Sequence, residues 1–244
     1  DLDKARTNDG ATPLMVAAFY GRCGAARRLL ELGADHTAVG ARWEYSGKTA
    51  LEVAEAQGLE EAAAVLREWA ASHPDEEYDA HVAGYDLRRA ANDGKTAEVR
   101  VLLAAGTDPD AADEDGGTAL LYAAGEGHEE AVGALAEGGA DLDKADPNDG
   151  ATPLMEAALS GMDGVVRRLL ELGADHTAVG TGSYMYEGKT ALEVAEMAGE
   201  ESAAAVLREW AAAHPNVEYD ARITAYNARK AELERHAAAV YEAL

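Results

Sequence analysis

The sequence predicts an all-α repeat solenoid of helix-turn-helix units, and three observations carry that prediction. The string RRLLELGADHTAVG at residues 27–40 returns letter for letter at 167–180. The copying extends further, since residues 1–40 match 141–180 at 31 of 40 positions and residues 47–81 match 188–222 at 27 of 35. A shorter period runs inside each copy: Gly10, Thr12, Pro13 and Leu14, then Ala17, Ala18 and Gly21, then Leu29 and Leu30, then Gly33, Ala34 and Asp35. Repetition on this scale marks an array in which each unit buries its apolar face against its neighbours.

Each letter of the short period has a mechanical role. Thr12 can cap a helix N-terminus, and Pro13 suits the first helical position, where no backbone donor is needed. Ala17 and Ala18 keep one face thin for a neighbouring helix, and Gly21 supplies the left-handed residue that ends the first helix. Leu29 and Leu30 face the second seam, and Gly33-Ala34-Asp35 turns the chain toward the next unit. Further units open at Gly47, Thr49 and Leu51 and at Gly188, Thr190 and Leu192, with Ala in place of Pro. Others open at Gly116, Thr118 and Leu120 and at Gly150, Thr152, Pro153 and Leu154. A sixth lacks the opening turn and runs from Leu87 through Ala90, Ala91, Gly94, Leu102 and Leu103 to Asp108.

The pattern G-x-T-P-L-x-x-A-A-x-x-G, then an LL pair, then G-A-D, resembles the ankyrin repeat across roughly residues 7 to 214. The resemblance implies an ankyrin-like solenoid of about six units with hairpin-like turns and a C-terminal capping helix. Residues 1–72 read as two repeats, 73–86 as a bridging helix or linker, 87–214 as four repeats, and 215–244 as the cap. An apolar stripe of Tyr78, Val82, Tyr85 and Leu87 favours one continuous stack. The other reading is two arrays joined by a hinge near Pro74. The chain begins at Asp1 within a repeat junction, so a fragment or processed form of a longer array is expected.

Composition narrows the partner class. Net charge is -25, from 46 acidic and 21 basic residues. Nucleic acids and anionic membranes both call for basic surfaces, so neither is expected as a partner. An acidic field favours encounter with a basic protein surface and also keeps an Ala-rich chain in solution. No apolar run is long enough to insert into a membrane. The single cysteine, Cys23, excludes an internal disulfide, and an intracellular, cytoplasmic setting is expected.

Two junctions break the period. The spacing from Gly33 to Gly47 is about four residues longer than that from Gly106 to Gly116, and the spacing from Gly173 to Gly188 about five longer. The first insertion carries Trp43 and Tyr45, the second Tyr184, Met185 and Tyr186. Aromatic residues are frequent interface anchors, so these turns are read either as partner-binding fingers or as rings folded back onto the adjacent turn. The resemblance also places variable contact positions just before the mid-repeat Gly, on a concave face. Here they are Phe19 and Tyr20, Ala56 and Gln57, Asn92 and Asp93, Gly125 and Glu126, Leu159 and Ser160, and Met197 and Ala198. Phe19 and Tyr20 diverge from Leu159 and Ser160 while the framework stays fixed. The partner-binding candidates are therefore Phe19, Tyr20, Trp43, Tyr45, Leu159, Tyr184, Met185 and Tyr186.

Other motifs fall short of chemistry. Gly-Lys-Thr at 47–49 and 188–190 lacks the glycine five residues earlier, where Arg42 and Ser183 stand, and the preceding strand of a phosphate loop. The run from Asp108 resembles a calcium loop, but Ala119 stands where a bidentate Glu is needed. His36 and His176 stand alone at distant turns, where turn hydrogen bonding is the expected role. No catalytic residues, metal site or cofactor are expected. The predicted function is a non-catalytic protein-interaction scaffold, with its oligomeric state left open. Two alternatives are a structural subunit of a larger complex or homo-oligomer, and the regulatory region of a longer enzyme or channel.

Overall fold

A computed structural model describes residues 2–6, 10–42, 45–182 and 185–242, without the side chains of 76–78, 217–218, 233–234 and 236–242. Among the described residues there are thirteen helices and no strands, only isolated bridges between Gly40 and Ser46 and between Gly180 and Glu187. The helices come in pairs: α1 (Pro13–Phe19) with α2 (Cys23–Glu31), α3 (Ala50–Ala56) with α4 (Glu60–Ser72), α5 (Glu76–Asn92) with α6 (Thr96–Ala104) and α7 (Ala119–Gly125) with α8 (Glu129–Glu137). The rest are α9 (Pro153–Leu159) with α10 (Asp163–Leu172), α11 (Ala191–Ala198) with α12 (Glu201–Ala213), and a last helix, α13 (Val217–Glu242). The chain forms two compact units: Asp1–Tyr122 with Glu137–Ala140, and Ala123–Ala136 with Asp141–Leu244.

The helix starts are where the threonines place them. Thr12, Thr49, Thr118, Thr152 and Thr190 each accept, on the side-chain oxygen, the backbone N–H three residues on, at 3.3 or 3.4 Å. In α3 and α11 the third residue returns the bond. The Glu52 carboxylate accepts the Thr49 N–H at 2.6 Å and Glu193 the Thr190 N–H at 2.7 Å, closing reciprocal boxes. Gly21 has φ +63°, the left-handed conformation expected after the first helix.

Unit 1 stacks α1 on α3 and α2 on α4. Its seam is thin as expected: Ala18, Ala54 and Ala63 are fully buried, with Met15, Leu30 and Leu66 filling the layer between. Each leucine so buried contributes about 1.5–3 kcal/mol of hydrophobic stabilisation. Unit 2 repeats the plan with α9 on α11 and α10 on α12, where Met155, Leu170 and Leu207 take the corresponding places. Paired aspartates link successive turns. The Asp35 N–H donates to Asp3 at 2.7 Å, and in unit 2 the Asp175 N–H donates to Asp143 at 2.8 Å.

Of the two readings of 73–86, bridging helix or linker, the structure has the helix over 76–86, as the first turns of α5, which runs on through Leu87. No Thr-Pro start or helix-ending turn interrupts the segment, and Leu87, Ala90 and Ala91 anchor it in the core while Val82 packs against the cluster of α1–α4. Both sides of Pro74 belong to unit 1. His73 ends α4 by stacking on Trp69 at 4.1 Å, with its Nδ1 2.9 Å from the Trp69 carbonyl. Trp210 and His214 repeat the arrangement in unit 2.

Candidate interaction surface

The two inserted turns have the same internal plan. In the first, the Gly40 N–H donates to the Lys48 carbonyl and the Gly47 N–H to the Gly40 carbonyl, both at 2.9 Å. Gly180, Lys189 and Gly188 do the same in the second. Gly40 and Gly180 must lack a side chain, because a Cβ there would meet the carbonyl oxygens of Tyr45 and Tyr186. This close approach turns each of those tyrosines inward.

Tyr45 is 2% exposed and Tyr186 4%, so the expectation that these two rings face a partner is corrected. Each folds back onto the first helix of its own repeat. Tyr45 lies 5.7 Å from the Phe19 ring, while the Tyr186 hydroxyl donates to Glu156 Oε1 at 2.7 Å. The divergence between copies follows from this. Where Tyr45 meets Phe19, with Val16 on the same helix, Tyr186 meets a helix carrying Glu156 and Leu159 instead. Burial pushes Glu156 above the ordinary carboxylate range, opposed by the bond from Tyr186, and burial also raises the Tyr186 hydroxyl.

The other candidates divide. Tyr20 is 63% exposed and sits edge-on to half-buried Phe19 at 5.1 Å. Leu159 is half-buried, and Met185 is 44% exposed. Trp43 and Tyr184 lie outside the described residues. The positions before the mid-repeat glycines are all at least partly exposed, Met197 at 48% among them. In the turn of unit 2, it is Asp175 that bonds Thr177, through its amide and hydroxyl, while the His176 ring meets Tyr219 edge-on at 5.0 Å. The turn bonding expected of His176 is thus done by its neighbour.

A set of buried carboxylates had no place among the sequence-based candidates. Glu55, on α3, is held between Arg67 of α4 and Arg89 of α5, and Arg89 also reaches Asp86 at 2.8 Å. Burial and the neighbouring Glu55 push Asp86 up to about 6. In unit 2, Glu196 takes Arg208 at 2.8 Å and Lys230 at 3.0 Å. One box glutamate is faced by His81 and the other by Arg222. The available signal was the recurrence of Glu52, Glu55 and Arg67 as Glu193, Glu196 and Arg208.

Unit 1 also holds a cavity of about 1040 Å³ lined by Lys48, His81, Tyr85, Arg88, Asp113 and Tyr122, among others. Many of its polar groups engage one another. The Tyr122 hydroxyl donates to Asp113 at 2.6 Å, Arg88 donates to the Ala111 carbonyl at 3.1 Å, and Ser46 donates across to Glu114 at 2.7 Å. The segment read as calcium-loop-like is a run of aspartate turns, with Asp108 accepting the Asp110 N–H and Asp113 those of Asp115 and Gly117. Among the described residues no cluster of His, Cys, Asp and Glu is arranged to hold a metal ion, and no helix is long and apolar enough to cross a membrane.

Family models match the chain in two places. A model of ankyrin repeats in three copies matches residues 87–180, and a model of the single ankyrin repeat matches residues 9–41.

Proposed function

The chain belongs to the ankyrin repeat family, and on that premise we propose that it is a non-catalytic scaffold holding a protein partner with a basic surface. Ankyrin repeats are generally protein–protein interaction modules and typically carry no catalysis of their own. The observation that carries the finer reading is the exposure of Tyr20 in unit 1 and of Met185 and Met197 in unit 2, on a chain of net charge -25. Large apolar side chains left in water amid acidic surface suit a partner that brings both apolar area and positive charge. The binding set is Phe19 and Tyr20 in unit 1 and Leu159 and Met185 in unit 2, with Trp43 and Tyr184 of the two inserted segments as its further members. Tyr45 and Tyr186 shape those turns from inside.

Affinity purification with the full chain tests this at about 50 and about 300 mM salt, on either side of physiological screening. Basic proteins held at low salt should elute at high salt, and Tyr20→Ala with Met185→Ala should weaken their capture at both. Capture that is indifferent to salt and to both substitutions would refute the reading.

A further inference from the structure

The two copies differ at one buried joint. In α3 the Glu52 side chain is 1% exposed, and its Oε2 accepts the Thr49 N–H at 2.6 Å. A carboxylate taken this far from water needs a compensating positive charge. His81 of α5 supplies it, with Nε2 3.2 Å from Oε1 and 3.3 Å from Oε2. In unit 2 the matching carboxylate, Glu193, is met at 2.7 Å by Arg222 of α13, which also donates to the Gly188 carbonyl. Gly47, the counterpart of Gly188, lines the same cavity as His81. His81 and Arg222 thus make the same connection, from helix to capping glutamate, beside the end of the inserted turn. An arginine keeps its charge at any physiological pH, whereas an imidazole loses it.

We propose that His81 makes unit 1 a pH-responsive joint, in which the charged ring fastens α5 to the start of α3 beside the end of the inserted turn, while Arg222 fastens the same joint of unit 2 permanently. The groups facing His81 set the balance. Glu52 on α3 favours the charged ring and Arg88 on its own helix opposes it; Lys48 of the turn and Asp113 and Glu114 of the following turn line the same cavity. The hydrogen bond to Glu52 outweighs burial, and His81 is held above the ordinary histidine value. A folded-state value raised in this way means that the fastening is complete below about 6.5, the ordinary imidazole value, and is lost as pH rises through the higher folded value. Asp86, pushed up to about 6, contributes in the same direction, so overall stability alone does not isolate His81.

The test uses the full chain and local readouts. The His81 ring is titrated by NMR, and hydrogen-exchange protection of residues 79–86 and 45–48, corrected for intrinsic rates, is compared at about pH 6 and about pH 8.5, on either side of the imidazole titration. His81 should titrate above an ordinary histidine, and protection should fall several-fold at the higher pH. His81→Arg should flatten that dependence, and Arg222→His should create one at the start of α13. An ordinary or lowered titration of His81 would overturn the proposal. So would a pH dependence that survives in His81→Arg, or one that fails to arise in a folded Arg222→His.

Discussion

Replacing Tyr186 by Phe removes a single hydroxyl from the inserted turn of unit 2, and its effect can be worked from the geometry. The ring is 4% exposed and its hydroxyl donates to Glu156 Oε1 at 2.7 Å, so the acceptor loses its donor without any change in shape. A hydrogen bond to a charged group contributes about 1.5–3 kcal/mol, and because Glu156 is only half-buried, the lower end, about 1.5 kcal/mol, applies. The pH dependence is the sharper test. Burial raises Glu156 in the folded state, so its own contribution favours folding at low pH and is lost as pH rises through the folded value. The Tyr186 bond offsets part of that loss. Tyr186→Phe should therefore cost little where Glu156 is protonated, below about pH 4, and its full amount near neutrality. Urea denaturation followed by circular dichroism at both pH values measures this, with Glu156→Val, which restores the residue found at Val16 in the first copy, as the second arm of a double-mutant cycle. An equal cost at both pH values, or no coupling in the cycle, would refute the reasoning.

Glycine substitutions should separate strain from collision. Gly33 has φ +88° with nothing within 4 Å of a built Cβ, so Gly33→Ala should cost about 1–2 kcal/mol from the left-handed backbone alone. At Gly150, with φ +76°, a Cβ would also strike the backbone of Gly182 and the Thr181 nitrogen at 2.6 Å, so Gly150→Ala should cost clearly more in the same denaturation assay. Tyr20→Ala should shift the denaturation midpoint by less than about 0.5 kcal/mol equivalent, because the ring is 63% exposed, yet weaken partner binding about tenfold if it is an anchor, as calorimetry would read.

What the sequence made legible was local. Thr12-Pro13, Thr49 and Thr152 announce helix starts because a cap works within three residues, and Gly21 and Gly33 announce their ends for the same reason. The helix over 76–86 was visible as well, as one of two readings, in an apolar stripe running on to Leu87 without an intervening cap. The direction of Tyr45 and Tyr186 was hidden, because residue type is the same for an interface anchor and a core ring. Direction is set instead by the backbone meeting Gly40 and Gly180. The carboxylate networks were hidden by distance: Arg67 reaches Glu55 across a helix pair, and Arg89 reaches it from the next repeat.

The aspartate pairs Asp3–Asp35 and Asp143–Asp175 act as a ruler laid along the turns, each mark placed from the one before by a side chain binding the next amide. Because these links lie at the turns, letters on the outward helix surfaces can change without touching them. Such a chain can be rewritten for new clients while those links are kept.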